Sequence, residues 1–246
     1  MTDPQTLLLA FGLMAGALLY SSVGHAGASA YIALMALFSV APEEMRPTAL
    51  VLNIIVATLG TVRFARAGLF RWRVLWPFLI GAVPFAFIGG GIILPSTLYR
   101  PLVGLILWLS AARLLWPKPL PSVTSPKDPP IVPGILAGTG IGLLAGLTGT
   151  GGGIFLSPIL LFTGWSAPKV ASGVASAFIL ANSIAGLSGN LASVQALPDA
   201  LPLYAGAVLI GGLLGTRLGI NVSQPVLFRL LAAVLLVAGA KLLSLW

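Results

Sequence analysis

The segment at 148–153 has the composition of a backbone loop that binds anions. Four of its last five residues are glycine, and such a run does not continue a helix cheaply. Its backbone N–H groups could then point at a ligand, and a helix starting near Ile154 would add the partial positive charge of its N-terminus. The hydroxyls of Thr148 and Thr150 supply two further donors. The alternative is a structural role, in which small residues let two helices approach closely.

Several kinds of chemistry are excluded by residues that the chain lacks. No Lys-Ser or Lys-Thr pair follows the glycine segment and no strand is predicted before it, so it is not a nucleotide-binding phosphate loop. The chain has no cysteine, which excludes disulfides, thiolate metal sites and a cysteine nucleophile. No nucleophile–base or metal-ligand constellation is visible. We therefore expect no enzyme activity, no catalytic residue, no bound metal and no cofactor.

A second interruption lies at 21–27 and repeats the glycine spacing, because Gly24-x-x-Gly27 corresponds to Gly149-x-x-Gly152. It contains His25, the single histidine of the chain. An ionisable group at membrane depth is costly and often functional, and imidazole titrates near neutral pH. One interpretation is therefore proton coupling or direct contact with an anion. The other is a structural histidine that donates to a backbone carbonyl released by the break.

The composition requires most of the surface to face lipid. Hydrophobic residues make up 58% of the chain and charged residues 7%, where soluble proteins carry about 25% charged residues. The mean hydropathy is +1.05. The formal net charge of +8 fits basic loops on the cytoplasmic side of a bilayer, so no nucleic-acid partner is expected. The N-terminus lacks a basic region before its apolar stretch, which argues against a cleaved signal peptide.

Apolar stretches separated by glycine, proline and charged residues predict ten helical segments. They lie at 6–22, 28–40, 46–64, 74–93, 98–116, 134–147, 154–163, 171–190, 201–219 and 223–243. The second and seventh are short for a transmembrane helix, which needs about 20 residues, so each forms a broken hairpin with the helix before it. A cytoplasmic linker at 117–133 holds seven prolines. It separates an N-terminal repeat at 1–116 from a C-terminal repeat at 134–246.

The two halves share landmarks in the same order, which indicates an internal repeat. Besides the glycine pairs, Ala41-Pro42 corresponds to Ala167-Pro168, and Asn53 and Asn182 each precede a glycine by seven residues. Four arginines follow the Asn53 helix, whereas the loop at 191–200 after the Asn182 helix holds no lysine or arginine. Basic loops lie in the cytoplasm, so the halves are expected to have opposite orientations. A parallel repeat with a miscounted helix is the alternative.

Polar side chains inside the predicted spans add further candidates. Helical spacing places Ser172 and Ser176 on one face, and Asn53 and Asn182 recur in both halves. Each could line a polar path or could instead make an interhelical or backbone hydrogen bond. The predicted substrate-binding residues are Gly24, His25, Gly27, Thr48, Asn53, Thr148, Thr150, Gly151, Gly152, Gly153, Ser176 and Asn182.

The glycine segment and its surroundings resemble the sulfite exporter TauE/SafE family, small bacterial membrane permeases with two related halves. The likeness rests on Gly146-Leu147-Thr148-Gly149-Thr150-Gly151-Gly152-Gly153-x-x-x-x-Pro158, Ala167-Pro168, Ala171-x-x-x-Ala175-Ser176, Val23-Gly24-His25-Ala26-Gly27 and Arg46-x-Thr48-Ala49. It covers nearly the whole chain and implies export of a small anion, such as sulfite or an organosulfonate, across the bacterial inner membrane. The first half departs from the family pattern, because His25, Ala26 and Ala28 replace some of its glycines. The two half-sites therefore need not be equivalent.

We predict an all-α polytopic membrane protein built from two inverted repeats, each a broken helical hairpin plus three transmembrane helices. The expected function is secondary transport of a small anion, held between the hairpins by neutral donors, with access alternating as the repeats rock. The alternatives are a cation permease and a non-transporting membrane scaffold or assembly factor. Glu43, Glu44 and Arg46 are expected in a solvated loop. The small-residue face Gly211-Gly212-x-x-Gly215 would permit a homodimer.

Overall fold

The computed structural model describes residues 3–22, 24–115, 126–191, 194, 197–218 and 224–243. Apart from 3₁₀-helical residues at 191 and 194, its regular structure consists of α-helices, and no strand occurs among the described residues. The helices are α1 (Pro4–Ser21), α2 (Ala28–Leu37), α3 (Pro42–Arg66), α4 (Trp72–Gly91), α5 (Ser96–Leu114), α6 (Ile131–Thr148), α7 (Gly153–Phe162), α8 (Pro168–Ser188), α9 (Leu201–Leu218) and α10 (Gln224–Leu242). The all-helical prediction and all ten predicted segments are confirmed. Most of the predicted linker, at 117–125, lies outside the described residues.

Five helices are long and apolar enough to cross a membrane by length and composition. They are α1, α3, α4, α6 and α8, with 18 to 25 residues each. By contrast, α2 and α7 have ten residues each, which gives a length of about 15 Å. That is about half of the hydrocarbon thickness of a bilayer, so neither crosses it alone.

The start of α3 differs from its prediction. Pro42 occupies the first turn, where its missing N–H and fixed φ suit a helix start, and Glu43 and Glu44 follow in that turn, next to the positive helix end. Arg46 therefore lies inside α3 and is 8% exposed. The prediction of a loop is wrong for all three residues, which are helical, and the prediction of solvation is also wrong for Arg46.

The principal helix pairs join the first five helices to the last five. Helix α1 packs on α9, α3 on α8, α4 on α6 and α5 on α10. The short helices lie inside this arrangement, since Ile32 and Met35 of α2 and Leu156 and Leu160 of α7 are all 1% exposed or less. Non-helical backbone at membrane depth is tolerated where protein surrounds it. The enclosure of the short helices is thus what permits the breaks beside them.

The α4–α6 contact depends on a row of glycines spaced four residues apart along α6. A Cβ atom added at Gly138, Gly142 or Gly146 would lie 2.2 Å from a backbone oxygen of α4. Residues four apart share one face of a helix, and small residues on that face let two backbones approach closely. This row of glycines therefore has a packing role, and it ends at Gly146, three residues before Gly149.

The glycine face of α9 is also occupied within the chain. A Cβ at Gly211 would lie 2.2 Å from the carbonyl oxygen of Met14, and one at Gly215 would lie 2.1 Å from that of Leu18. These two glycines hold α9 against α1 and are not available to a second copy of the protein. A homodimer therefore stays a prediction, and this glycine face does not support it.

Candidate functional site

Both glycine segments interrupt a helix, as predicted. In the second segment, which joins α6 to α7, Gly149, Gly151 and Gly152 have φ values of +82°, +71° and +79°. In the first segment, between α1 and α2, Gly24 has φ +79° and Gly27 has φ +107°. Other L-residues rarely adopt this left-handed conformation. Glycine is therefore required at these turns by the backbone itself, whatever the segments bind.

Asn53 of α3 and Ser183 of α8 meet the second break at Gly151. The Asn53 side chain donates from Nδ2 to Ser183 Oγ over 3.4 Å. A Cβ added at Gly151 would lie 2.7 Å from Asn53 Nδ2 and 3.2 Å from Ser183 Oγ. The break thus presents its backbone directly to two polar side chains from two different helices, one in each half of the chain.

Helices α3 and α8 also carry buried polar atoms that have no hydrogen-bond partner among the described residues. They include Asn53 Oδ1, Thr48 Oγ1 and both Oδ1 and Nδ2 of Asn182. All three side chains are fully buried. A buried polar group without a partner costs about 1–3 kcal/mol, and most such groups in proteins are paired. These atoms are therefore candidates for contact with a bound substrate.

The two threonine hydroxyls of the second break are engaged with each other. Thr148 donates from Oγ1 to the carbonyl oxygen of Leu144 over 2.6 Å, one turn earlier in α6. Its Oγ1 also lies 3.0 Å from Thr150 Oγ1. Since Thr148 uses its proton within the helix, Thr150 is the donor between them. Substrate contact by either hydroxyl would require this pair to rearrange.

The first break contacts the second hairpin through His25. His25 Nε2 lies 3.1 Å from Ser157 Oγ of α7. Ser176 of α8 donates to the carbonyl oxygens of Gly24 over 2.8 Å and of Ser172 over 3.0 Å. The first break is therefore held by one side chain from α7 and by one from α8.

The structure brings together some of the predicted site residues. Gly151 meets Asn53, and Gly24 accepts a hydrogen bond from Ser176. The two breaks approach each other at Gly153, where an added Cβ would lie 3.5 Å from Cδ2 of His25. Gly27 has a packing role, because a Cβ there would lie 2.8 Å from Cζ of Tyr31. Thr48 precedes Asn53 by five residues, which is about 140° around the helix, and its hydroxyl has no hydrogen-bond partner among the described residues.

Four further residues belong to the site region, although none of them is among the predicted substrate-binding residues. Ser183 and Ser157 are the hydroxyl partners of Asn53 and His25, respectively. Tyr99 of α5 donates from its hydroxyl to the carbonyl oxygen of Thr148 over 3.2 Å. Arg46 lies against Gly149, where a Cβ would be 3.1 Å from Arg46 Cγ. The adjacency of Ser183 to Asn182 and the position of Arg46 two residues before Thr48 were the available signals.

Known proteins resemble this chain over nearly its whole length. Residues 8–242 match the family model described as sulfite exporter TauE/SafE. The chain is 40% identical over 245 residues to the probable membrane transporter protein y4hK of Sinorhizobium fredii, covering 98% of this chain and 99% of that protein. It is 25% identical over 258 residues to the probable membrane transporter protein YjnA of Bacillus subtilis, covering 96% and 98%.

No solved structure matches the chain at a significant level. The family model nevertheless covers nearly all of the sequence, and the relatives align from end to end, so the resemblance seen in the glycine motifs is confirmed. Together with the five long apolar helices, this makes the protein a multi-pass bacterial membrane transporter that belongs to the sulfite exporter TauE/SafE family.

Proposed function

We propose that the protein is a secondary transporter that exports a small anion, sulfite or an organosulfonate, bound where the two broken hairpins meet α3 and α8. The observation that carries this proposal is the buried, unpaired carboxamide of Asn182, together with Asn53, whose Nδ2 lies beside Gly151. A carboxamide offers an N–H₂ donor as well as an acceptor. It can therefore hold an oxyanion without a fixed charge.

The backbone around Gly151 adds to this donor set. The first N–H groups of a helix have no intrahelical partner, and the N-terminus of a helix carries a partial positive charge. Helix α7 begins at Gly153, directly after the break. Its first N–H groups and the carboxamide of Asn182 would bind the oxygens of the anion. Neutral donors of this kind hold an anion weakly enough for it to leave, which a transporter requires.

The pairing of helices supports two related halves. Each of the first five helices has a counterpart five places later, so that α1 corresponds to α6 and α4 to α9. Exchanging every helix for its counterpart turns the α1–α9 pair into the α6–α4 pair, and it leaves the α3–α8 and α5–α10 pairs unchanged. All of these pairs are present. We propose that the halves are inverted repeats and that access alternates as they rock about the site. The sequence contains no nucleotide-binding loop, so the energy would come from an ion gradient or from the substrate's own gradient.

The inverted orientation predicts opposite labelling of two exposed positions. Arg73 lies in the first turn of α4 and Asp199 lies just before α9, the matching helices of the two halves, and both residues are exposed. Since the chain has no cysteine, Arg73→Cys and Asp199→Cys each give a single labelling site. In intact cells, a membrane-impermeant maleimide should label the Asp199→Cys variant, while Arg73→Cys should require permeabilised cells. Labelling of both from the same side would contradict the inversion and favour a parallel repeat.

Purified protein should be stabilised by its anionic substrate. A ligand at a hundredfold excess over its Kd stabilises the folded state by about 2.7 kcal/mol, which a thermal-shift measurement detects. Sulfite, sulfoacetate and taurine should be compared with chloride, and each stabilising anion should then show protein-dependent flux in proteoliposomes. Stabilisation by sodium or potassium alone would favour a cation permease. A protein that no small ion stabilises and that carries no flux would be a scaffold.

A further inference from the structure

Arg46 is a buried cation without an acidic partner. Its Nη1 donates to the carbonyl oxygen of Ile92 over 2.8 Å, and its Nη2 donates to that of Gly90. No carboxylate of the described residues lies within 4 Å of its guanidinium group, and Glu43, one turn earlier, accepts a hydrogen bond from Ser96 instead. Buried charges in proteins are normally paired with an opposite charge.

The end of α4 does not neutralise this charge. The two carbonyl groups lie at the C-terminus of α4, which ends at Gly91, and a helix C-terminus carries about half of an elementary negative charge. Arginine stays protonated in proteins. Its contacts therefore account for its hydrogen bonds but leave a net positive charge inside the protein.

The position of this charge is next to the second break. The stem of Arg46 packs on Gly149, the first glycine of the break, at 3.1 Å from an added Cβ. Tyr99 donates to the carbonyl oxygen of Thr148 at the same junction. The guanidinium is thus anchored at the end of α4, while its side chain lies against the segment that leads to Gly151.

The first break has no such charge at the matching position. Arg46 is the fifth residue of α3, and Ser172 is the fifth residue of α8. Ser172 contacts Gly24, the first glycine of its break, as Arg46 contacts Gly149, with an added Cβ 2.4 Å from Ser172 Cβ. The fifth residue of the neighbouring helix therefore packs on the first glycine of each break, and it is a cation at the second break and a hydroxyl at the first. The electrostatic environments of the two breaks differ for this reason.

We propose that Arg46 is a specificity-determining residue that makes the α6–α7 break selective for net negative charge in the transported molecule. This rests on the proposed anion transport and assigns its charge selectivity to one side chain. Arg46 acts through its electrostatic field, because hydrogen bonds to the carbonyl groups of Gly90 and Ile92 hold its guanidinium at the end of α4. A unit charge about 10 Å away, at an effective dielectric constant of about 20, changes the affinity for a monovalent ion roughly tenfold.

Two sulfonates of similar size test this selectivity. 2-Hydroxyethanesulfonate carries one negative charge, whereas taurine has the same sulfonate with an ammonium group and no net charge. The wild-type protein should bind the hydroxy compound about tenfold more tightly, as measured by isothermal titration in detergent. Arg46→Gln should reduce this preference to less than about threefold, because glutamine keeps a donor for the α4 carbonyls but removes the charge.

The matched control is Arg63→Gln on the same helix. Arg63 is an exposed cation that donates to Thr216 Oγ1 over 2.8 Å, near the far end of α3, so its loss should leave the preference unchanged. Equal binding of both sulfonates by the wild-type protein, or an Arg46→Gln variant that keeps the full preference, would overturn the role of Arg46 and leave anion transport standing.

Two further outcomes keep the test decisive. If Arg46→Gln does not fold, Arg46→Lys keeps the charge, and a folded lysine variant that binds the two sulfonates equally would overturn the inference. If the wild-type protein binds neither sulfonate nor sulfite, the proposed function itself fails, and the role of Arg46 fails with it. Binding of both sulfonates without a charge preference is a different result and affects Arg46 alone.

Discussion

Replacing Gly142 by alanine should strongly destabilise the folded protein, whereas the same replacement at Gly140 should be neutral or slightly stabilising. A Cβ at Gly142 would lie 2.2 Å from the carbonyl oxygen of Ala82 in α4. That atom belongs to the backbone, so the overlap is relieved only if α4 and α6 move apart. Overpacking of this kind costs about 1–3 kcal/mol, and more where the neighbour is rigid.

Gly140 is the matched control because it lies on the same helix, two residues earlier. No atom lies within 4 Å of a Cβ added there, and alanine is favoured over glycine in a helix by about 1 kcal/mol. Thermal unfolding of the two purified variants in the same detergent would measure the difference. Equal melting temperatures would contradict the close approach of α4 and α6, and with it the position of the second hairpin.

Asn182→Leu should abolish most of the transport while leaving the folded protein as stable as before, or more stable. The amide of Asn182 is fully buried and neither of its polar atoms has a hydrogen-bond partner among the described residues. Removing an unpaired buried amide relieves a desolvation penalty. If the amide instead binds the anion, its loss removes a hydrogen bond to a charged group, worth about 1.5–3 kcal/mol. Affinity should then fall between about tenfold and a hundredfold.

Ser110→Ala is a suitable control for this experiment. Ser110 is also a buried polar residue of a long helix, and it donates to the carbonyl oxygen of Ile106 over 2.7 Å. Its change should leave substrate flux in proteoliposomes unaffected. Normal flux in Asn182→Leu would remove Asn182 from the site. Loss of flux together with a large fall in melting temperature would show that the amide is structural.

The two experiments separate the architecture from the site. The glycine pair reports on the contact that positions α6 and hence the second break. The asparagine variant reports on the proposed contact between Asn182 and the anion. Gly152→Val is less informative, because φ at Gly152 is +79° and a Cβ there would lie 2.7 Å from Ile141. A valine would strain the turn and disturb packing, so loss of transport would not distinguish binding from folding.

The local elements were predictable because glycine and proline act on the backbone of their own segment. Pro42 and Pro168 start α3 and α8, and the left-handed glycines at 24, 27, 149 and 152 end or begin the helices beside them. The low content of charged residues indicated a membrane environment, and the glycine motif at 148–153 indicated the family. None of these inferences needs to know which helices touch.

The roles of individual side chains depended on helix pairing, which the sequence leaves open. Most helices of this chain are apolar on all sides, so their hydrophobic pattern does not show which face meets which neighbour. Only the structure places Asn53 against Ser183 and His25 against Ser157. It also shows that the glycines of α6 before the break pack on α4, while Gly151 faces polar side chains.

Arg46 shows most clearly the difference between what the sequence predicts and what the tertiary structure decides. As a charged residue near Glu43 and Glu44, it fitted a solvated loop by every local rule. Its burial follows from two distant carbonyls at the end of α4 and from the space that Gly149 leaves by lacking a side chain. The sequence by itself thus determined the lipid environment, the ten helices, their breaks and the family, because these depend on local backbone preferences and composition. The tertiary structure decided which polar groups share a site. It also decided the position of Arg46, the buried guanidinium of the described residues that has no neighbouring carboxylate, because both depend on contacts between distant segments.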